Sequence, residues 1–111
     1  MINNKWLSKE FHNLNKMFFD SKIIGVTVKF GNLSPTGASG VWRRHSRTIV
    51  ICNKARATAD ESYVAIVLLH EMAHAYLDND YKGYPKDGGH GSRFQAEMWR
   101  LIMAGAYDGL L

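Results

Sequence analysis

Residues 63–77, YVAIVLLHEMAHAYL, form an apolar run interrupted by two histidines and one glutamate. His70 and His74 are four residues apart, and residues four apart lie on the same face of a helix. Both imidazoles can therefore reach one metal ion, at nitrogen–zinc distances of about 2.0–2.1 Å. Glu71 is not needed as a ligand, and it is placed to hold and deprotonate a metal-bound water. The pattern predicts a helix that carries part of a hydrolytic metal site.

The residues around this run predict where the helix begins and where it lies. Thr58 followed by Glu61 has the spacing of a capping box, so we expect a helix over residues 59–77. Apolar residues surround most of its circumference, which is typical of a buried helix. Buried histidine and glutamate side chains are rarely tolerated unless they are paired or bind a metal. The context therefore favours a metal site over a chance pattern.

The upstream segments predict a second helix and a small sheet. Residues 4–19 carry apolar side chains at helical spacing behind an asparagine cap, namely Leu7, Phe11, Leu14 and Phe18 after Asn3 or Asn4. We expect strands over residues 23–30, 41–43 and 47–52, in an antiparallel or mixed sheet with the last strand at its centre. Residues 53–59 are expected to be a connector.

The downstream half predicts a polar loop and a last helix. Residues 78–89 are polar and glycine-containing, as loops are. Ser92 followed by Gln95 has capping-box spacing, so a helix is expected from about Arg93. The fold class is therefore α+β, with an N-terminal helix, a three-stranded sheet, the histidine-bearing helix and a C-terminal helix. A chain of this length is expected to be a single domain, residues 1–111.

A catalytic zinc site usually has three protein ligands and one open position, so a third ligand is expected. The residues that can supply it after His74 are Asp78, Asp80, Asp87, His90 and Glu97. His90 lies between glycines, where backbone can approach closely. Glu97 lies on the predicted last helix, where a surface position is the simplest interpretation. Cys52 is a further candidate by residue type, although a strand end favours a small buried apolar side chain there.

The composition and the first residues indicate the cellular compartment in which the chain is expected. The chain has one cysteine, so no intramolecular disulfide can form. Its first residues lack the apolar core of a signal peptide. No apolar run approaches the roughly 18 residues that a membrane helix needs. We therefore expect a cytoplasmic protein without a membrane partner.

Charge is unevenly distributed along the chain. The net charge is +4, yet the segment between Asp20 and Asp60 has seven basic residues and no acidic one, whereas the remainder has seven basic and ten acidic residues. Such a segment favours an anionic partner such as nucleic acid, and an aromatic ring among arginines can stack on unpaired bases. A solvated surface, with the tryptophan packed in the core, is the alternative. The candidate contacts are Lys22, Lys29, Trp42, Arg43, Arg44, Arg47, Lys54 and Arg56.

Two histidine-containing motifs resemble those of the SprT-like metallopeptidase family. The first is HEMAHA at residues 70–75, of the form H-E-M-x-H-A, and the second is HGSRF at residues 90–94, of the form H-G-x-x-F. The N-terminal apolar stripe, the Gly-Val-Trp at residues 40–42 and the strand at residues 48–51 are similar to upstream elements of that family. The resemblance covers most of the chain.

The resemblance implies a zincin-like fold and a zinc-dependent peptidase. By position, His70, His74 and His90 would be the ligands of Zn²⁺, and Glu71 would be the general base. The substrates would be proteins or peptides, DNA-associated proteins among them. The chain has one cysteine and stops at Leu111, which implies a minimal form without the C-terminal zinc ribbon of many members.

Two other functions stay open from the sequence. One is a nucleic-acid-binding module that keeps a structural or vestigial zinc site. The other is a metal-dependent amide hydrolase of the deformylase type, although Cys52 lacks the surrounding motif that such enzymes have. A peptidase also needs a donor to the developing oxyanion. Tyr76, Tyr84 and Arg93 are candidates for that donor because they lie close to the motifs in sequence.

Overall fold

A computed structural model of the chain describes residues 1–80 and 90–110, without the side chain of Asp80. Four helices and three strands follow one another in this part of the chain: α1 Asn4–Phe18, β1 Thr27–Gly31, β2 Gly40–Arg43, β3 Thr48–Cys52, α2 Asn53–Ala57, α3 Glu61–Asp80 and α4 Ser92–Met103. The fold is α+β, which confirms the predicted class. Among the helices described, none combines the length and the apolar character needed to cross a membrane.

The three strands form one mixed sheet in the order β1-β3-β2. β1 pairs parallel with β3, so that Thr27 lies opposite Thr48. β2 pairs antiparallel with β3, so that Gly40 lies opposite Ile51. Every residue of β3 is buried, which confirms the central position predicted from its apolar sequence. In this sheet β2 is an edge strand.

The first strand begins four residues later than the predicted range of 23–30. The Asn15 side chain donates to the Ile23 carbonyl at 2.8 Å and accepts from the Ile23 N–H at 3.2 Å, so Ile23 is held to α1. Gly25 then adopts a φ of +66°, in the left-handed region that cannot continue a strand. The extended chain therefore starts only at Thr27.

Helix α1 is joined to the sheet through its first turn. The Asn3 side chain accepts a hydrogen bond from the Trp6 N–H at 2.9 Å, so Asn3 is the cap. Asn4 instead accepts from the backbone N–H of Phe30 in β1, also at 2.9 Å. The apolar face of α1 packs into the core through the buried side chains of Leu7, Phe11 and Leu14.

The segment before α3 contains α2, where the sequence predicted only a connector. The Thr58 hydroxyl donates to the Ala55 carbonyl at 2.6 Å, which closes the end of α2. Ala59 then has a φ of +54°, which separates the two helices. Asp60 caps α3 by accepting from the Tyr63 N–H at 3.1 Å, so the predicted Thr58 cap and the start at residue 59 were wrong.

Helix α3 lies at the centre of the core, as its apolar sequence predicts. Val64, Leu68, Leu69 and Met72 are completely buried, and they belong to the same cluster as Ile49 and Ile51 of the sheet and the buried face of α1. The helix continues to Asp80, past the predicted end at residue 77. The rest of the predicted loop, residues 81–89, lies outside the described part of the chain.

Helix α4 begins without the predicted capping box. Gly91 is its N-cap, and no side chain caps the helix. The Gln95 N–H bonds to the Gly91 carbonyl at 3.0 Å, and the Gln95 side chain reaches the His90 carbonyl at 3.4 Å. Gln95 thus ties His90 to the start of α4 instead of completing a box with Ser92.

Candidate metal centre

Helix α3 presents two histidines on one face. His70 and His74 are one turn apart, both are half-buried, and their ring centroids are 5.1 Å apart. The distance follows from the helix period, which brings residues four apart together. The sequence of α3 alone therefore brings two of the three histidines together.

His90 joins this pair from the turn before α4. Its ring centroid lies 5.5 Å from that of His70 and 4.8 Å from that of His74. The Nε2 atoms of His74 and His90 are 3.2 Å apart, and one ring nitrogen from each histidine lies within 4.8 Å of the others. Nitrogens bound to one tetrahedral zinc lie about 3.3 Å apart. The three histidines are thus positioned to bind a metal ion.

The ionisation of the α3 histidines suits that role. Burial first, and then the neighbouring His70 and His90, lower the pKa of His74 to about 4, against the opposing effect of Asp78. Burial, followed by the charge of His90, also lowers the pKa of His70. Both rings are therefore neutral at pH 7. A neutral imidazole keeps the lone pair that a metal needs.

Glu71 is buried beside the histidines, with only 6% of its surface exposed. Desolvation raises the pKa of its carboxyl to about 7. One side of Glu71 faces the edge strand β2 at Gly40, where a Cβ atom would lie 3.3 Å from Glu71 Oε2 and 2.7 Å from Val67 Cγ1. The absence of a side chain at Gly40 therefore leaves the space that the Glu71 carboxylate occupies.

Phe94 contacts all three histidines. Its ring is stacked on His74 at a centroid distance of 4.4 Å and an interplanar angle of 19°. It meets His70 and His90 edge-on, at 4.9 and 5.1 Å. The sequence identified Phe94 as one residue of a helix stripe and of a motif, but its contact with every histidine depends on how α4 packs on α3.

Asp78, one turn after His74, makes its hydrogen bond and ion pair with residues outside the three-histidine group. Its carboxylate accepts a hydrogen bond from Trp42 Nε1 and pairs with Arg44 Nε at 3.6 Å. The Arg47 guanidinium lies 5.5 Å from the centre of the Trp42 ring. Trp42 thus joins β2 to α3. It is partly buried and packs against the core, which was the alternative to base stacking in the sequence.

Glu97 is not the surface residue that the sequence favoured. It is 5% exposed and forms an ion pair with Arg100 on the same helix. Arg100 also donates to the Phe18 carbonyl at 2.8 Å, so the pair lies at the junction of α1 and α4. The carboxylate is buried because this arginine neutralises it, which helical spacing could not show.

Two further candidates for the third ligand, Cys52 and Glu97, do not join the histidines. Among the described residues the group that could hold a metal contains His70, His74 and His90, and neither Cys52 nor Glu97 belongs to it. Cys52 is buried at the end of β3. The Tyr76 ring packs on Phe19 at 5.5 Å, and Arg93 is an exposed residue in the first turn of α4. The side chain of Asp80, and Tyr84 and Asp87, lie outside the described residues.

A comparison with protein-family models matches the SprT-like family over residues 7–107. The chain belongs to the SprT-like family. The match spans nearly the whole chain and includes both histidine motifs, so the resemblance noted in the sequence is confirmed. No curated protein and no solved structure gave a match. SprT-like membership and the three-histidine group together indicate a metallopeptidase-like domain that can bind a metal.

Proposed function

We propose that this chain is a zinc-dependent metallopeptidase that hydrolyses peptide bonds of protein substrates. The observation that carries the proposal is the group of three histidines beside a buried glutamate, in a chain of the SprT-like family. Three imidazoles suit zinc, whereas calcium and magnesium prefer oxygen ligands. Three ligands also leave one position open, as catalytic zinc sites do.

The residues divide the chemistry between them. When bound, zinc would supply the Lewis acid that polarises the substrate carbonyl and acidifies water. His70, His74 and His90 would hold it. The Glu71 carboxylate accepts the proton of the attacking water and passes it to the nitrogen of the leaving amine. Because Glu71 is buried, bulk water is kept away from that proton between the two transfers.

The test compares metal content with turnover in four proteins: the unchanged chain and its His70→Ala, His90→Ala and Glu71→Gln variants. Zinc bound in purified protein is measured by elemental analysis, and hydrolysis is measured with casein and with a protein crosslinked to single-stranded DNA. The histidine variants should lose zinc. Glu71→Gln should keep zinc and lose turnover by at least about a hundredfold, the scale of general base catalysis.

Two results would count against this mechanism. Full zinc occupancy in His90→Ala would require a different third ligand. Hydrolysis that survives in Glu71→Gln would remove Glu71 as the base. The two results bear on different residues, so the ligand assignment and the base assignment are tested separately.

We also propose that nucleic acid presents the substrate. Lys22, Lys29 and Arg43 are exposed, and they belong to the segment without acidic residues. Exposed cations bind phosphates in a salt-dependent manner. Arg43→Glu should weaken DNA binding and DNA-stimulated cleavage, whereas Lys5→Glu on α1, outside that segment, should not. Equal effects of the two substitutions, or cleavage that DNA does not stimulate, would contradict this second proposal.

A further inference from the structure

A cavity of about 250 Å³ lies at the start of the edge strand, between the loop before β2, the end of β3 and the first turn of α3. Ser39 and Tyr63 form its polar rim, with Ser39 Oγ and the Tyr63 hydroxyl 3.0 Å apart. Leu33, Cys52 and Ala55, all buried, contribute its apolar lining. Nothing in the proposed zinc chemistry uses this cavity.

The seam between β2 and α3 connects the cavity to Glu71. Three contacts join this edge of the sheet to α3: Ser39 with Tyr63, Gly40 with Val67 and Glu71, and Trp42 with Asp78. Residue numbers increase together on both sides, so β2 and α3 run in the same direction. Tyr63 and Glu71 are eight residues apart on α3, which is about 12 Å along a helix. An extended peptide covers that distance in three or four residues. The seam itself is filled, because Gly40 packs against Val67 and Glu71. An extended peptide that lies beside the edge strand β2 covers the same distance, so it can place one side chain in the cavity while another part reaches Glu71.

The lining of the cavity has the chemistry of a carboxylate site. Among the residues that the structure describes, Lys54 is the one charged residue of the lining and no carboxylate belongs to it. In the Ser39–Tyr63 pair one hydroxyl hydrogen is used between the two residues, which leaves the other hydrogen free to donate. A lysine and a hydroxyl donor in a lining that also has apolar residues match an acidic side chain with its methylene groups.

We propose that this cavity is a substrate subsite for a glutamate or aspartate side chain, three or four residues from the peptide bond that is cleaved. The inference rests on the proposed peptidase function and specifies part of its substrate. Lys54 binds the carboxylate, and the Ser39–Tyr63 pair donates a hydrogen bond to it. This makes Lys54 a specificity-determining residue that lies away from the reacting atoms.

The test scans one glutamate through a peptide that the protein cleaves, with glutamine and lysine at the same positions for comparison. The peptides are acetylated and amidated, so the side chain is their only carboxylate. At three or four residues from the cleaved bond, on one side of it, glutamate should raise kcat/KM about fivefold over glutamine, the scale of the difference between a charge-assisted and a neutral hydrogen bond. Lys54→Glu should reverse the preference in favour of lysine.

The matched control is Lys5→Glu, which changes an exposed lysine on α1 outside the basic segment and should leave the preference unaltered. The same shift in Lys5→Glu, or no dependence on glutamate at any position, would overturn the inference. Ser39→Ala supplies a second variant, since it removes the hydroxyl pair without changing charge.

A binding measurement separates this inference from the proposed function. Anisotropy of the labelled glutamate and glutamine peptides is measured with the Glu71→Gln protein, in which no cleavage is needed. If no peptide is cleaved but the glutamate peptide binds about fivefold more tightly and Lys54→Glu abolishes the difference, the subsite stands and the peptidase proposal fails. Equal binding of the two peptides removes the subsite whatever the cleavage result.

Discussion

Phe94 contacts every histidine of the group. Its ring limits the orientations of His70, His74 and His90 through one stacked and two edge-on contacts. Residues around a metal site affect its affinity because they fix the geometry of the ligands. Phe94 therefore belongs to the site, although it offers no ligand atom.

We expect Phe94→Leu to weaken zinc binding by about three- to tenfold, because the ligand rings gain freedom that binding must then remove. Zinc affinity is measured by competition with a chromophoric chelator. Phe11→Leu is the matched control, since Phe11 is a similarly buried phenylalanine on α1 whose ring contact is with His12 and not with the three histidines of the group. If both variants bind zinc as tightly as the unchanged protein, Phe94 has no positioning role.

Glu71 predicts a pH dependence of the metal-free protein. Its pKa is raised from 4.5 to about 7 in the folded state, so between these values the folded protein holds a proton that the unfolded chain has released. The stabilisation is complete below pH 4.5 and is lost as pH rises through 7, by about 3 kcal/mol in total. Glu71→Gln removes this dependence and leaves the histidines unchanged.

The measurement is urea unfolding of both metal-free proteins between pH 5 and pH 8. The free energy of unfolding of the unchanged protein should fall relative to that of Glu71→Gln as pH rises. A constant difference across this range would show that the Glu71 carboxyl titrates at its ordinary pKa.

At the scale of elements, the contact between β2 and α3 sets the space around Glu71. A methyl group at Gly40 would approach Glu71 Oε2 and Val67 too closely, so Gly40→Ala must displace one of them. We expect this variant to retain zinc and to lose about tenfold or more in kcat, since small displacements of a catalytic group are enough for such losses. Turnover and zinc content are measured on the same preparation.

Gly31→Ala is the control for packing strain alone. A Cβ at Gly31 would lie 2.8 Å from Val50 Cγ1, so it is similarly crowded, but it meets no atom of Glu71. This variant should lose stability and keep kcat. Equal losses of kcat in both variants would mean that the effect of Gly40→Ala comes from the sheet in general.

The elements differ in how far their sequences predict them. The stripe of α1, the buried β3 and the long α3 could be predicted because each repeats a local period over enough residues. Helix α2 has five residues, too few to show a period. The parallel pairing of β1 with β3 joins residues about twenty positions apart, and only tertiary contacts decide it.

The same division applies to the site. His70, Glu71 and His74 could be predicted because one helical turn brings them together. His90 could be predicted from the motif at residues 90–94, whereas its short distance to His74 depends on the packing of α4. The burial of Glu97 and the contact between Gly40 and Glu71 have no local signal, since each is created by a second element.

At the scale of the whole molecule, Arg100 joins three helices. It pairs with Glu97 on α4, donates to the Phe18 carbonyl at the end of α1, and lies 5.5 Å from the centre of the Tyr76 ring on α3. The hydrogen bond to Glu97 raises the pKa of Arg100, although desolvation opposes the charged form of the arginine. The histidine turn before α4 depends on this same docking.

We expect Arg100→Met to lower the free energy of unfolding by about 2–3 kcal/mol, because it leaves the Glu97 carboxylate buried without a partner. Chemical denaturation measures the change. The double variant Glu97→Gln/Arg100→Met removes the buried charge and should recover part of the loss. If the double variant is less stable than Arg100→Met alone, the unpaired charge is not the cause.

The position of His90 means that metal binding would also affect the stability of the folded chain. Fifteen residues separate His74 from His90, so an ion held by both would cross-link the chain across that interval. An ion that binds the folded chain and leaves on unfolding stabilises the folded state by mass action, by about 2.7 kcal/mol when its free concentration is a hundred times its Kd. The ion would thus hold the start of α4 to α3. The supply of metal in the cell would then govern how long the C-terminal helix survives proteolysis, as well as whether the site can work.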